Sequence, residues 1–145
     1  MKDTYHLRRF IDAQDRVFEH VVQELTEGQK RGHWMWYIFP QIQGLGHSPT
    51  AQRFAISSRE EAVAYLQHRI LGTRLRQCTH LVNRIEGRRI KEIFYHPDHL
   101  KFRSSMTLFM AASTENEIFK EGLDKYFAGQ PDNLTLDILK TMKTQ

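Results

Sequence analysis

The apolar residues near the start of the chain recur at the three- and four-residue spacing of one helical face. These residues are Leu7, Phe10, Ile11, Val17, Phe18, Val21, Val22 and Leu25. The spacing predicts a single helix over residues 7–25. Asp3 is placed to cap the start of this helix, and Gly28 is placed to end it.

Turn and capping residues predict further helices along the chain. Pro49 suits the first position of a short helix over residues 49–56. Ser58 with Glu61, and Thr114 with Glu117, match the capping-box pattern that opens a helix. Apolar stripes and helix breakers place the remaining segments at residues 71–85, 90–95, 98–112 and 134–139.

Only residues 34–39 approach the two-residue alternation that is typical of a strand. In a strand, Trp34 and Trp36 would point to the same face. Because every other segment is helical or a turn, we predict an all-α fold. It forms one compact domain over residues 1–145, with about six to eight unequal, loosely orthogonal helices.

Composition narrows the class of protein. Of the 145 residues, 40% are apolar and 26% are charged, which suits a folded domain and excludes a disordered chain or a coiled-coil rod. The apolar run at residues 34–39 is far shorter than the roughly 20 residues of a membrane span, and the start lacks a secretion signal. A lone cysteine, Cys78, excludes an internal disulfide. We expect a cytoplasmic protein with no membrane contact and no cofactor, and the sequence leaves its oligomeric state open.

The net charge of +4 is a mild excess that would help to attract a phosphate-bearing partner. Four basic residues cluster late in the chain, namely Arg84, Arg88, Arg89 and Lys91. Nucleic acid is therefore a third class of partner, although no nucleic-acid motif accompanies the cluster. His96 and His99 lie close together, but one short cluster is not a full ligand set, so we expect no metal site.

Three segments, at residues 33–41, 44–51 and 101–109, are richer in polar and aromatic residues than a core requires. In the first segment, Trp34 and Trp36 either stack on a purine or nicotinamide ring or simply fill the core. His33 and Gln41 flank this aromatic run. They are the candidate catalytic residues because a core has no need of either.

The second segment carries a weak phosphate-loop pattern. Gly44, Gly46 and Ser48 precede the helix that Pro49 opens, and Arg53 adds a charge one turn later. Free amides at a helix start favour an anion. The alternative is an ordinary glycine turn in which Ser48 caps the helix.

The third segment places Lys101, Ser104 and Ser105 on one face of a predicted helix. A basic residue one turn before two hydroxyls can bind a phosphate or a carboxylate. The alternatives are hydroxyls that only pack, or a serine nucleophile with the lysine as its base.

The three segments, in this order, resemble the domain of unknown function 1810 family. The resemblance rests on residues 33–41, on Gly44 to Gly46 with Ser48 and Pro49, and on Lys101 with residues 104–109. It implies a compact all-helical domain and no settled activity. A weaker outline likeness, carried by Glu61-Ala62, Leu71-Gly72 and Met106, is to small helical N-glycosidases that act on ADP-ribosyl or nucleotide substrates.

The first functional hypothesis is binding, and N-glycosidic hydrolysis, of a nucleotide-like, phosphate-bearing small molecule. Trp34 or Trp36 would stack on its ring, and Gly46, Ser48 and Lys101 would take its anionic part. The alternative is a non-enzymatic module that docks a peptide or a protein on the aromatic segment.

Overall fold

The computed structural model describes residues 2–143, which form helices joined by turns and loops. Its helices number ten within these residues, so the predicted six to eight were too few. They are α1 (Arg8–Asp15), α2 (Phe18–Glu27), α3 (Met35–Ile38), α4 (Pro49–Arg53), α5 (Arg59–Gln67), α6 (Arg69–Asn83), α7 (Ile90–Ile93), α8 (Asp98–Ala111), α9 (Glu117–Phe127) and α10 (Asn133–Lys143).

The single helix predicted over residues 7–25 is two helices, α1 and α2. The chain leaves helical geometry at Val17, whose φ is −131°. This break lets α1 pack on α3 while α2 packs on α6. The ends were predicted correctly, since the Asp3 carboxylate accepts the Leu7 and Arg8 amides and Gly28 ends α2 in a left-handed conformation.

The strand-like prediction for residues 34–39 was wrong. Met35 to Ile38 form the short helix α3, and the extended pairing within residues 2–143 is one isolated bridge between Ile42 and Ile56. A strand needs a partner, and residues 2–143 place none beside this segment. The Trp34 carbonyl instead accepts the Ile38 amide at 3.2 Å, as in a helix.

Of the side-chain caps considered from the sequence, those of Ser48 and Ser58 are present and that of Thr114 is not. Ser48 and Ser58 each accept the amide three residues ahead, at 3.1 Å, and so cap α4 and α5. Thr114 does not open α9, which begins one residue after Asn116. The Asn116 side chain donates instead to the Met110 and Ser113 carbonyls, which closes the turn between α8 and α9.

Helix α8 lies at the centre of the core. Its residues 104–109 are all buried, and it packs against α5, α7, α9 and α10. Phe102 on α8 meets Phe39 and Phe94 with ring centroids 5.1 and 5.2 Å apart. Aromatic pairs at this spacing add to the stabilisation from burial alone. The core therefore uses side chains from the first and third segments together.

Two further facts bear on the class of protein. No helix among residues 2–143 is long and apolar enough to cross a membrane. Cys78 on α6 is buried and unpaired, and burial raises the pKa of its thiol to about 12.

Candidate functional site

Trp34 belongs to the core rather than to a ligand platform. Only 1% of its surface is exposed, and its indole N–H donates to a Glu24 carboxylate oxygen at 3.0 Å. The same oxygen accepts the amides of Arg31 and Gly32. Burial raises the pKa of Glu24, but these three hydrogen bonds outweigh it and hold the pKa below 4.5. Trp34 is therefore closed to a base or a docked partner.

Trp36 is half-buried and lies under the Lys101 ammonium group, which is 5.0 Å from the centre of its ring system. Lys101 also pairs with Asp98 at 3.3 Å, and Lys30 pairs with the other Asp98 oxygen at 2.9 Å. We call these three residues the lysine–aspartate bridge. Within the bridge, the Lys30–Asp98 pair joins α8 to the turn after α2, and Lys101 pairs within α8 and lies over Trp36 of α3.

A small cavity separates Trp36 from the glycine loop. Trp36, Gln41, Gly46 and Ala51 line it, and its volume is about 10 Å³. That is close to the lower limit for one water molecule. A Cβ on Gly46 would lie 2.6 Å from the Ala51 Cβ, so glycine is needed here for close packing. A nucleobase cannot stack on this side of Trp36.

The remaining residues of the second segment also have structural partners. Ser48 is engaged as the cap of α4. Gly44 adopts a φ of +108°, which L side chains rarely accept. The loop therefore supports the glycine-turn interpretation, which the sequence left open beside a phosphate loop.

The two serines of the third segment point into the protein. The Ser104 hydroxyl donates to the Leu100 carbonyl at 3.1 Å and lies 3.2 Å from an Asp132 carboxylate oxygen, just before α10. The Ser105 hydroxyl is fully buried, and no hydrogen-bond partner for it is present among residues 2–143. Both observations favour hydroxyls that pack.

The candidate catalytic residues are not brought together. His33 is exposed in the loop before α3. Gln41 is half-buried, and its backbone carbonyl accepts the Ile56 amide at 2.9 Å. Within the described chain, no hydrogen bond or ring contact joins these two side chains.

His96 and His99 have ring centres 5.3 Å apart. Burial lowers the pKa of His99, and the nearby Lys91 and His96 lower it further. No group of three or more possible metal ligands occurs in the part of the chain that the structure describes.

A larger cleft opens between the residues before α1 and the segment that carries α4. Its volume is about 530 Å³. The residues that line it include Tyr5, His6, Gln43, Gln52, Arg53 and Ser57. We call it the N-terminal cleft. Of the residues predicted as binding groups, only Arg53 lines it.

A buried ion pair forms the floor of the N-terminal cleft. Arg9 donates to a Glu61 oxygen at 3.0 Å, and the Glu61 side chain is 2% exposed. Arg9 also donates to the backbone carbonyls of Tyr5, Arg53 and Ala55. The other Glu61 oxygen accepts both the amide and the hydroxyl of Ser57. Arg9 thereby holds both walls of the cleft in place.

A family model described as a protein of unknown function, DUF1810, matches residues 4–139. The chain belongs to the DUF1810 family. In a comparison of structures, this DUF1810 domain matches a crystal structure from Mycobacterium tuberculosis, that of the conserved hypothetical protein Rv1873. The identity is 54%, the TM-score is 0.95, and the match covers 95% of this chain and 99% of the other. A comparison with curated proteins finds no match. These matches do not support the outline likeness to N-glycosidases.

In this DUF1810 chain, the residues that carry the family resemblance mainly build the core. The cleft residues Tyr5, His6 and Gln43 lie outside those motifs, and they were not among the predicted site residues. One feature of the sequence could have indicated two of the cleft residues, because Gln43 and Gln52 flank the second segment, residues 44–51. Nothing in the apolar pattern brings Tyr5 and His6 to the same place.

Proposed function

We propose that the protein binds a nucleotide-like, phosphate-bearing small molecule in the N-terminal cleft. The observation that carries the proposal is Arg53, which lines a cleft of about 530 Å³. Its guanidinium lies over the Phe54 ring and pairs with no carboxylate among residues 2–143. Ligand clefts commonly measure about 300–1,000 Å³. Arginine is well suited to a phosphate because its N–H groups match two oxygens at once.

The other cleft residues suit the remaining parts of a nucleotide. Tyr5 is half-buried, so its ring offers a fixed face on which a base can stack. Gln43 and Gln52 supply carboxamides, which can donate to and accept from a base edge. The Gln52 nitrogen donates to the His47 carbonyl at 3.0 Å, which orients its amide.

Hydrolysis of an N-glycosidic bond in this cleft would draw on Glu61 rather than on His33 or Gln41. Glu61 is the carboxylate that lines the cleft. Its oxygens are already engaged by Arg9 and Ser57, as a structural carboxylate would be. We therefore confine the proposal to binding.

The test is calorimetric titration of the protein with AMP, ADP, ADP-ribose, adenosine and inorganic phosphate. We expect the nucleotides to bind more tightly than adenosine or phosphate alone, since each of these lacks half of the contacts. Arg53→Gln should weaken nucleotide binding about 10- to 100-fold, the value of one charge-assisted contact.

The matched control is Arg16→Gln, which removes the same charge from an exposed position outside the cleft. It should bind nucleotides like the wild type, and both variants should keep the wild-type melting temperature. The proposal fails if none of these nucleotides binds, or if Arg53→Gln and Arg16→Gln bind equally well.

A further inference from the structure

A second open pocket, distinct from the N-terminal cleft, is lined mainly by cations. Its volume is about 510 Å³, and its lining is Arg88, Arg89, Ile90, Lys91, Lys125 and Tyr126. We call it the basic pocket. Four positive charges line it with no carboxylate in the lining, so its surface favours a polyanion.

The partners of these cations show which charges stay available. Lys125 is engaged by the Asn83 and Ile85 carbonyls and lies 3.6 Å from Glu86. Arg89 lies 3.7 Å from Glu92, and its side chain is almost fully exposed, so this pair is weak.

The side chains of Arg88 and Lys91 are exposed and have no ion-pair or hydrogen-bond partner among residues 2–143. Arg84, exposed and equally unpaired, precedes them in the chain. These three cations can therefore bind phosphates without first breaking an existing bond.

An exposed aromatic ring, that of Tyr95, contacts the same turn as one of these cations, Arg88. Tyr95 is 55% exposed, and its hydroxyl accepts a hydrogen bond from the Gln29 side chain. The neighbouring Gly28 packs so closely on Arg88 that a Cβ there would lie 3.3 Å from the arginine side chain. Arg88 of the basic pocket and Tyr95 therefore lie against two adjacent residues, Gly28 and Gln29.

We propose that the basic pocket and Tyr95 together bind single-stranded nucleic acid without sequence preference. The cations would follow the phosphate backbone, and Tyr95 would stack a base. Single-strand binding surfaces combine a positive groove with aromatic faces in this way. A compact polyphosphate would use the pocket alone, whereas an exposed ring outside the pocket lining suits a ligand that extends beyond the pocket.

The test is fluorescence anisotropy with a labelled oligothymidylate about 12 nucleotides long, measured across a range of salt concentrations. We expect binding that weakens as salt rises, with a log–log slope of about −0.7 for each phosphate contact. The double variant Arg88→Gln/Lys91→Gln should lower the affinity about tenfold or more and make the slope shallower by about 1.4.

The matched control is Arg16→Gln/Arg69→Gln, which removes two exposed cations elsewhere on the surface. It should bind like the wild type. Tyr95→Leu should weaken binding with the salt slope unchanged, and Tyr95→Phe should restore it, because stacking needs the ring and not the hydroxyl.

Three results would overturn this proposal. The wild type fails to bind the oligonucleotide at low salt, or the two double variants bind with the same affinity and slope. The third is that a nucleoside triphosphate displaces the oligonucleotide as well as unlabelled oligonucleotide does, which assigns the pocket to a compact polyphosphate. Because these variants leave Arg53 intact, failure here is independent of binding in the N-terminal cleft.

Discussion

Three carboxylates, those of Glu24, Asp98 and Glu61, hold in place residues that the sequence or the structure marks as candidate site residues or their neighbours. Glu24 closes the turn that precedes α3 by accepting one indole N–H and two backbone amides. Asp98 joins two lysines, and Glu61 anchors Arg9 under the N-terminal cleft. The partners of Glu24 lie 7 to 10 residues ahead, and Asp98 and Glu61 each have a partner more than 50 residues away, so every pairing reaches beyond one helical turn. Local sequence patterns therefore do not reveal the pairing.

Glu24→Gln should destabilise the protein at neutral pH, because an amide oxygen is a weaker acceptor for the three donors than a carboxylate. The folded pKa of Glu24 is lowered from 4.5, so its stabilisation is complete above 4.5 and is lost as the pH falls through the folded value. The melting temperature of the variant should lie below that of the wild type at neutral pH, and the gap should narrow below pH 4.5. A gap that stays constant across this range would contradict the assignment.

At the residue scale, the sequence identifies partners that lie within one helical turn. Ser58 was predicted correctly as a cap, and the cap was one of two interpretations left open for Ser48, because a cap bonds to an amide three residues ahead. Ser104 was placed on the right helix, but its acceptor Asp132 is 28 residues away. Such a hydroxyl resembles a free binding group in the sequence, because its partner in the folded protein is far away along the chain.

At the scale of elements, long helices were easier to predict than short ones. Helix α6 has a clear apolar stripe, whereas α3 and α7 have only four residues each. A helix this short has no intrinsic stability and forms because the surrounding core holds it. The break between α1 and α2 has the same origin, since both helices pack on α6 but only α1 also packs extensively on α3.

Asp132 is expected to tie α10 to α8. Its carboxylate accepts the Thr135 amide at 3.1 Å and contacts Ser104, while its own amide donates to Thr107 at 2.9 Å. Asp132→Ala should lower the free energy of unfolding by about 1–2 kcal/mol, the usual cost of losing an N-cap. Denaturant unfolding measures this value. Asp137→Ala, an exposed change within α10, is the control, and equal losses in both variants would refute the cap.

At the scale of the whole molecule, one hydrophobic core connects the first helix to the last. Phe10 of α1, Trp34 and Leu139 of α10 all belong to it. Small domains with one core usually unfold in a single cooperative step. We expect thermal unfolding curves from far-ultraviolet circular dichroism and tryptophan fluorescence to coincide. Two separate transitions would show that α10 or the N-terminal region unfolds independently.

The sequence predicted the fold class and most helices, but it placed the candidate site where the core lies. Unusual composition at residues 33–41 reflects a buried tryptophan with its own acceptor, not a ligand surface. The N-terminal cleft forms only when Tyr5 and His6 meet Gln43 and Arg53 across the fold. Such a meeting depends on tertiary packing, which no local pattern encodes.

The buried Cys78 has a practical consequence for labelling. Thiols react as thiolates, and a thiol with a pKa of about 12 in the core is almost entirely protonated at neutral pH. A cysteine introduced at an exposed position such as Glu115 would then be the sole site open to a maleimide dye or spin label. Labelling variants can therefore be made in the native sequence, and Cys78, which packs in the core, does not have to be replaced first.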